Sequence, residues 1–173
     1  MGGFMKTYLW FPAIAWPMTL LLAGYVGSVD AQTCHLNIEA NDMMQYNART
    51  LHVAPECTDV ELTFRHVGKE DAHVLGHDWV LARSSDVNAL ANAGISAGFD
   101  HGYVPPDDPR VIAATRVIGG GQETVIRFST TKLDPQVDYS FFCSYPGHTP
   151  TMRGRFQLDK PGGAAPRQMS GLP

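Results

Sequence analysis

The sequence predicts an all-β protein, a Greek-key β-sandwich or barrel that carries one short helical insertion. Three observations predict it. Val60, Leu62, Phe64 and His66 alternate with Asp59, Glu61, Thr63 and Arg65, the period-two pattern of a strand with one buried face. Further short apolar runs are separated by turn-forming stretches such as Gly119-Gly120-Gly121 and Asp134-Pro135, as in sandwiches and barrels. One segment, Ser84–Ala97, departs from that pattern and places apolar residues near helical spacing.

The first element in chain order precedes the domain. Lys6 is followed by an uncharged run from Thr7 to Val29, dense in apolar residues through Tyr8–Val26. Val29-Asp30-Ala31 resembles an export cleavage site, so residues 1–31 read as a signal peptide cut before Gln32. No twin-arginine pair is present, which favours the general secretory route. The alternative is a retained N-terminal membrane anchor, since the run is long enough to span a bilayer despite Pro12 and Pro17. Either reading puts residues 32–160 in an oxidising compartment, the periplasm. At the other end, residues 161–173 hold few large side chains and many chain breakers, so a disordered tail is expected there.

Within the domain, Cys34 shares strand parity with Leu36 and Ile38. His77, Trp79 and Leu81 share a face in a strand expected over 76–83. The helix opens on the capping candidates Ser84, Ser85 and Asp86 and turns Val87, Leu90, Ala91 and Ile95 to one side. A Pro/Asp-rich loop from Phe99 to Pro109 follows. Strands are then expected over 111–118, 124–128, 139–143 and 153–158.

The net charge is −4 with no basic block or stripe, which argues against a nucleic-acid partner. The cysteines are more telling. There are three, and an odd number in an oxidising compartment needs an explanation. A bridge between Cys34 and Cys57 would close a modest loop and stabilise the domain by about 3 kcal/mol in the chain-entropy model. Cys143 would then be left over, and an exported free thiol is prone to oxidation unless buried or metal-bound.

The neighbours of Cys143 favour a metal. Phe141-Phe-Cys-Ser-Tyr-Pro-Gly-His-Thr-Pro-Thr-Met152 sets out a thiolate, an imidazole at His148 and a thioether at Met152, spaced Cys-x4-His-x3-Met. Tyr145-Pro146-Gly147 can fold the chain back, so one loop can aim all three donors at one point. Thiolate and imidazole with a weak axial thioether select copper over hard cations. A second imidazole must come from elsewhere. His77 is the better candidate, because it follows Gly76, where a backbone carbonyl can come close to an ion. His66 competes, but on the apolar face of its strand it reads as a core histidine. His35, His52, His73 and His101 read as surface residues. A trigonal site of this kind suits both Cu(I) and Cu(II), so one copper ion would cycle with little rearrangement.

These residues resemble the azurins, blue copper proteins of the cupredoxin fold. The likeness runs from about Cys34 to Lys160. It rests on Cys34 with Asn41-Asp-Met-Met-Gln-Tyr-Asn47, on Gly76-His-Asp-Trp-Val-Leu81, on Pro106-Asp-Asp108 before Arg110-Val-Ile-Ala, and on Phe141–His148 with Met152. The resemblance implies copper held in plane by His77, Cys143 and His148, with Met152 and the Gly76 carbonyl on the axis. It also implies the Cys34–Cys57 bridge, His66 as a buried histidine close to the copper, and His148 as the exposed ligand through which electrons leave. The expected partners are periplasmic redox proteins such as c-type cytochromes or reductases, docking on an apolar patch near His148 that includes Met44, Val74, Leu75, Tyr145 and Pro150. Lys69-Glu70-Asp71 and Thr151 make that patch more polar than the family usually has. Asp78 is a second departure, since azurins usually place Asn after the first His ligand. An ionised Asp78 can accept a hydrogen bond from Ser144 but cannot donate one.

The function expected is single-electron transfer rather than catalysis. Storage or chaperoning would suit a more open, exchangeable site. A copper enzyme would need a substrate position or a second metal cluster, and no His-x-His pair or second Cys/His group is present. Zinc could occupy the same donors but would be redox-silent.

Overall fold

The computed structural model describes residues 1–3 and 31–160, so the expected signal peptide or anchor and the expected tail lie largely outside the described residues. Among the described residues, nine strands form two sheets. β1 (Gln32–Asn41), β2 (Gln45–Tyr46), β4 (Cys57–His66) and β7 (Glu123–Ser129) lie in the order β2-β1-β4-β7. The second sheet has β3 (Thr50–Val53), β5 (Val80–Arg83), β6 (Ala113–Ala114), β8 (Tyr139–Phe142) and β9 (Arg153–Leu158) in the order β3-β9-β8-β5-β6. The expected Greek-key sandwich is thus the observed architecture.

The alternation in β4 does what its period requires. Val60, Leu62 and Phe64 are fully buried and His66 is 1% exposed. β1 runs parallel to β4, pairing Leu36 with Leu62 and Ile38 with Phe64, so both strands send apolar side chains into one core. The facing sheet contributes Trp79, Leu81, Phe141 and Phe156. The Trp79 ring stacks on Phe141 with centroids 6.0 Å apart. Gly154 on β9 makes room there, because a Cβ would lie 2.1 Å from the Phe141 ring. Cys34 and Cys57 are bridged at the starts of β1 and β4, with Cα atoms 5.7 Å apart.

Several elements differ from expectation. The strand expected over 76–83 is laddered only over Val80–Arg83. Before it, backbone groups bond to side chains: Trp79 N donates to Thr115 Oγ1 at 2.9 Å, and the Asp78 carbonyl accepts from the Tyr46 hydroxyl at 2.5 Å. His77 keeps a single bridge to Ile118. The strand expected over 111–118 is likewise reduced to Ala113–Ala114, although Ile112, Thr115 and Ile118 still donate to carbonyls of Leu81, Trp79 and His77. The helix is α2 (Val87–Ala97). Ser84 continues β5 alongside β8, where its hydroxyl meets Ser140 at 2.8 Å, and Asp86 occupies the cap position without a side-chain bond. Val87, Leu90 and Gly94 form its buried face, while Ile95 is 57% exposed. A one-turn helix, α1 (Ala72–Leu75), and the short strands β2 and β3 carry no periodicity long enough to read in the sequence.

Candidate metal centre

His77, Cys143 and His148 come together at the end of the sandwich away from the disulfide, all three buried. His77 sits just before β5. Cys143 sits just after β8, where its amide donates to the Met152 carbonyl at 3.0 Å. His148 closes a tight turn in which its carbonyl accepts from Thr151 N at 3.0 Å and Met152 N at 2.8 Å. Gly147 takes φ 85°, a conformation glycine reaches without strain, and so folds the loop back as its sequence suggests. One loop thus carries Cys143, His148 and the buried Met152.

Gly76 is fixed by crowding. A Cβ there would lie 2.3 Å from the Ala72 carbonyl and 2.5 Å from Val117. The first residue of α1 packs its carbonyl against this position, so a side chain there would collide with backbone. Here the sequence shows the glycine, and the structure supplies the reason.

The donor atoms converge. His77 Nδ1 and His148 Nδ1 are 3.2 Å apart, and Cys143 Sγ lies 3.6 Å from the latter and 4.0 Å from the former. Bonds of about 2.0–2.3 Å from one first-row ion, spread over about 110–120°, hold nitrogen and sulfur donors about 3.3–3.8 Å apart. The observed separations bracket that range, so the three residues fit one ion. The tautomer of His77 is set as well. Its Nε2 lies 2.9 Å from the Asn41 carbonyl, which can only accept, so the proton belongs on Nε2 and the Nδ1 lone pair faces the site.

Electrostatics point the same way. Burial, with the neighbouring His66 next in effect, lowers the His77 pKa to about 4, and burial lowers that of His148. Both imidazoles are therefore neutral and able to ligate at neutral pH. Burial pushes the Cys143 thiol well above its usual range, and the nearby Asp78 carboxyl adds to this. A thiol so placed needs a cation to become thiolate, so metal uptake releases its proton. The set of one soft thiolate and two imidazoles, with a buried thioether on the same loop, suits copper.

Asp78 behaves as its position suggests. Its carboxylate accepts from Ser144 N at 2.7 Å and from the Ser144 hydroxyl at 2.5 Å, tying the two ligand segments together. Burial raises its pKa to about 6, against the pull of those Ser144 bonds. The Ser144 hydroxyl, whose single proton goes to Asp78, also lies 3.0 Å from the Gly102 carbonyl in the segment after α2.

His66 is not part of the donor cluster. It packs edge-on to His77 at 4.6 Å between centroids, while its Nε2 meets the Asp42 carboxylate at 3.1 Å. His148 is 4% exposed against 0% for His77, so the more open of the two imidazoles has a narrow window, not a broad face. Val74 is 67% exposed and Met44 37%, and Ile95 joins Tyr145, Pro146 and Pro150 in lining a surface groove. Of the histidines expected on the surface, His52 is half-buried and bonded to Asp159 at 3.0 Å. The roles of Asn41, Asp42 and Tyr46 were not legible. Two act on, or through, main-chain carbonyls, and Asp42 meets His66 only after folding.

A β-sandwich that closes two imidazoles and one cysteine around a single point defines the cupredoxin class. Comparison with known proteins agrees. The family model for copper binding proteins of the plastocyanin/azurin family matches residues 32–159, and the chain belongs to that family. It is 42% identical over 128 residues to the azurin of Methylobacillus flagellatus, covering 74% of this chain and 86% of that one. It is 38% identical over 138 residues to the azurin of Bordetella pertussis, covering 80% and 92%. A solved structure of azurin iso-2 from Methylomonas sp. strain J matches with a TM-score of 0.71 and 40% identity, covering 73% of this chain and 98% of that one.

Proposed function

We propose that this protein is a type 1 copper carrier that passes single electrons between periplasmic redox proteins. His77, Cys143 and His148 would hold the ion, with Met152 and the Gly76 carbonyl as further, weaker donors. The observation that carries the reading is the convergence of two neutral Nδ1 atoms and one thiol sulfur within 3.2–4.0 Å on strand-anchored segments. Copper bound there supplies a one-electron Cu(I)/Cu(II) couple. The protein's part is to hold the donors still. Asn41 fixes the His77 ring, and Asp78 joins the two ligand segments through Ser144. Donors held in this way would need little rearrangement between the two oxidation states.

Export by residues 1–31, a domain over 32–160 and a tail over 161–173 complete the reading. Partners such as c-type cytochromes or reductases would approach the apolar surface around Tyr145, Pro150, Val74 and Met44, to which Ile95 adds. Adding Cu(II) to the purified protein and recording its visible spectrum tests the assignment. An intense thiolate-to-copper band that Cys143→Ser abolishes is expected. A colourless protein that binds copper elsewhere overturns it.

A further inference from the structure

Four rings continue outward from His148. Tyr145 stacks on its imidazole, centroids 4.7 Å apart and planes at 27°. Tyr103 meets Tyr145 edge-on at 5.0 Å, and Phe99 meets Tyr103 at 6.1 Å. Phe99 then stacks on His73 at 3.8 Å and 27°, and His73 is exposed on α1. The Tyr145 hydroxyl donates to the His73 carbonyl at 2.8 Å, which joins the inner end of this series to the element at its outer end.

Single aromatic contacts at these separations are ordinary packing. Continuity is the informative feature here, because the series starts on a proposed ligand and ends at solvent. Its rings come from α1, the turn at Phe99–His101, the residues after it and the ligand loop. The arrangement is also held at local expense. Tyr103 has φ 55°, which a bulky side chain adopts only where its surroundings impose it. α2 gives way to it: a Cβ on Gly94 would lie 1.9 Å from the Tyr103 carbonyl.

We propose that these rings form a second electron port. It rests on the copper reading above. A one-electron donor touching His73 and Phe99 passes its electron through Phe99, Tyr103 and Tyr145 to the copper, without covering His148. The donor is oxidised by one electron and Cu(II) becomes Cu(I). No bond forms or breaks, no proton moves, and the rings mediate without being oxidised themselves. The matching partner is a carrier whose redox group presents the edge of a conjugated ring, able to lie against the Phe99–His73 stack.

The test attaches a photoactive ruthenium complex to the His73 imidazole of the copper-loaded protein, with a second sample labelled at His35 as control. Electron transfer between label and copper is timed after a flash. Phe99→Leu opens a gap in the series while keeping an apolar side chain, and the rate from His73 should fall on the order of tenfold as ring contacts are lost. The His35 rate should stay the same. Tyr145→Phe keeps the ring and removes only the bond to the His73 carbonyl, so it should change the rate little. An unchanged His73 rate in Phe99→Leu, or a large loss in Tyr145→Phe, assigns the path to the backbone and overturns the port. In the metal-free protein, proton NMR should show the His73 ring shifted upfield by Phe99, and the shift should vanish in Phe99→Leu. Its absence from the parent protein also overturns the port. Failure of the copper reading itself would be seen separately, as a missing charge-transfer band before any label is attached.

Discussion

β1 and β4 run side by side from a disulfide at their starts to the metal centre at their ends, and the two ends secure their cysteines by opposite means. At the start, Cys34 and Cys57 are joined covalently, and the Thr130 hydroxyl donates to the Cys57 carbonyl at 2.6 Å. His35 and Arg127 both bond to Glu61 there, in pairs that are partly or well exposed. At the far end, Asn41 is the last residue of β1, and His66, His77, Asp78, Ser144 and His148 are each 4% exposed or less. Buried polar groups of this number are stable only when each finds a partner. Asn41, Asp42 and Ser144 satisfy several, yet the two Nδ1 atoms and the thiol are left facing one another. The disulfide end is complete as folded, whereas the other end is completed by an ion.

The largest test of this contrast is to remove one cysteine from each end. Cys143→Ser should abolish the thiolate-to-copper band while circular dichroism shows the β fold intact. Cys34→Ala should do the reverse, leaving the band in place and lowering denaturant stability by about 3 kcal/mol. If the band shifts in Cys34→Ala, the two ends are coupled through β1 and the contrast fails.

Gly76→Ala should come next in size. The added methyl meets the Ala72 carbonyl and Val117, and overpacking of this kind destabilises by roughly 1–3 kcal/mol. Because the strain falls on the entry to His77, copper should also dissociate faster, which a competing chelator would time.

A subtler difference lies in acid sensitivity of the metal-free protein. His77 has its pKa lowered from 6.5 to about 4, so its contribution is present above pH 6.5 and is lost as pH falls towards 4. Asp78 has its pKa raised from 3.8 to about 6, so its contribution is present below pH 3.8 and is lost as pH rises through 6. The two slopes oppose each other between pH 4 and 6. Asp78→Asn removes one of them, so thermal stability should fall more steeply with acid in that variant. An unchanged pH profile would show that Asp78 does not titrate in this window.

The smallest effect expected is on the copper potential. A charged Asp78 stabilises Cu(II), so Asp78→Asn should raise the reduction potential, measured by voltammetry. A lower potential in the variant rules out the charge explanation.

The Cys143–Met152 loop was legible as a candidate metal loop because its donor-type side chains are local. Cys143, His148 and Met152 lie within one turn of chain, and thiolate, imidazole and thioether side chains keep their donor chemistry in any context. The alternation in β4 was equally plain, since a period of two over a full strand has one physical cause. The helix was legible in place but not in orientation. Gly94 rather than Ile95 faces inward, because the Tyr103 carbonyl packs where a side chain would go. The broken strand before β5 was not legible, since its hydrogen bonds go to the side chains of Thr115 and Tyr46, far away in sequence.

By itself, then, the sequence determined the sandwich and singled out His77, Cys143 and His148, the three side chains that the fold brings together and whose chemistry suits copper. Periodicity and side-chain chemistry are local properties, and both survive in the one-dimensional order of residues. Tertiary structure decided which nitrogen of His77 is free, how Asp78 is held, and that Tyr145, Tyr103, Phe99 and His73 join into one series. Those features depend on main-chain carbonyls and ring contacts between distant segments, and such neighbours exist only once the two sheets have closed.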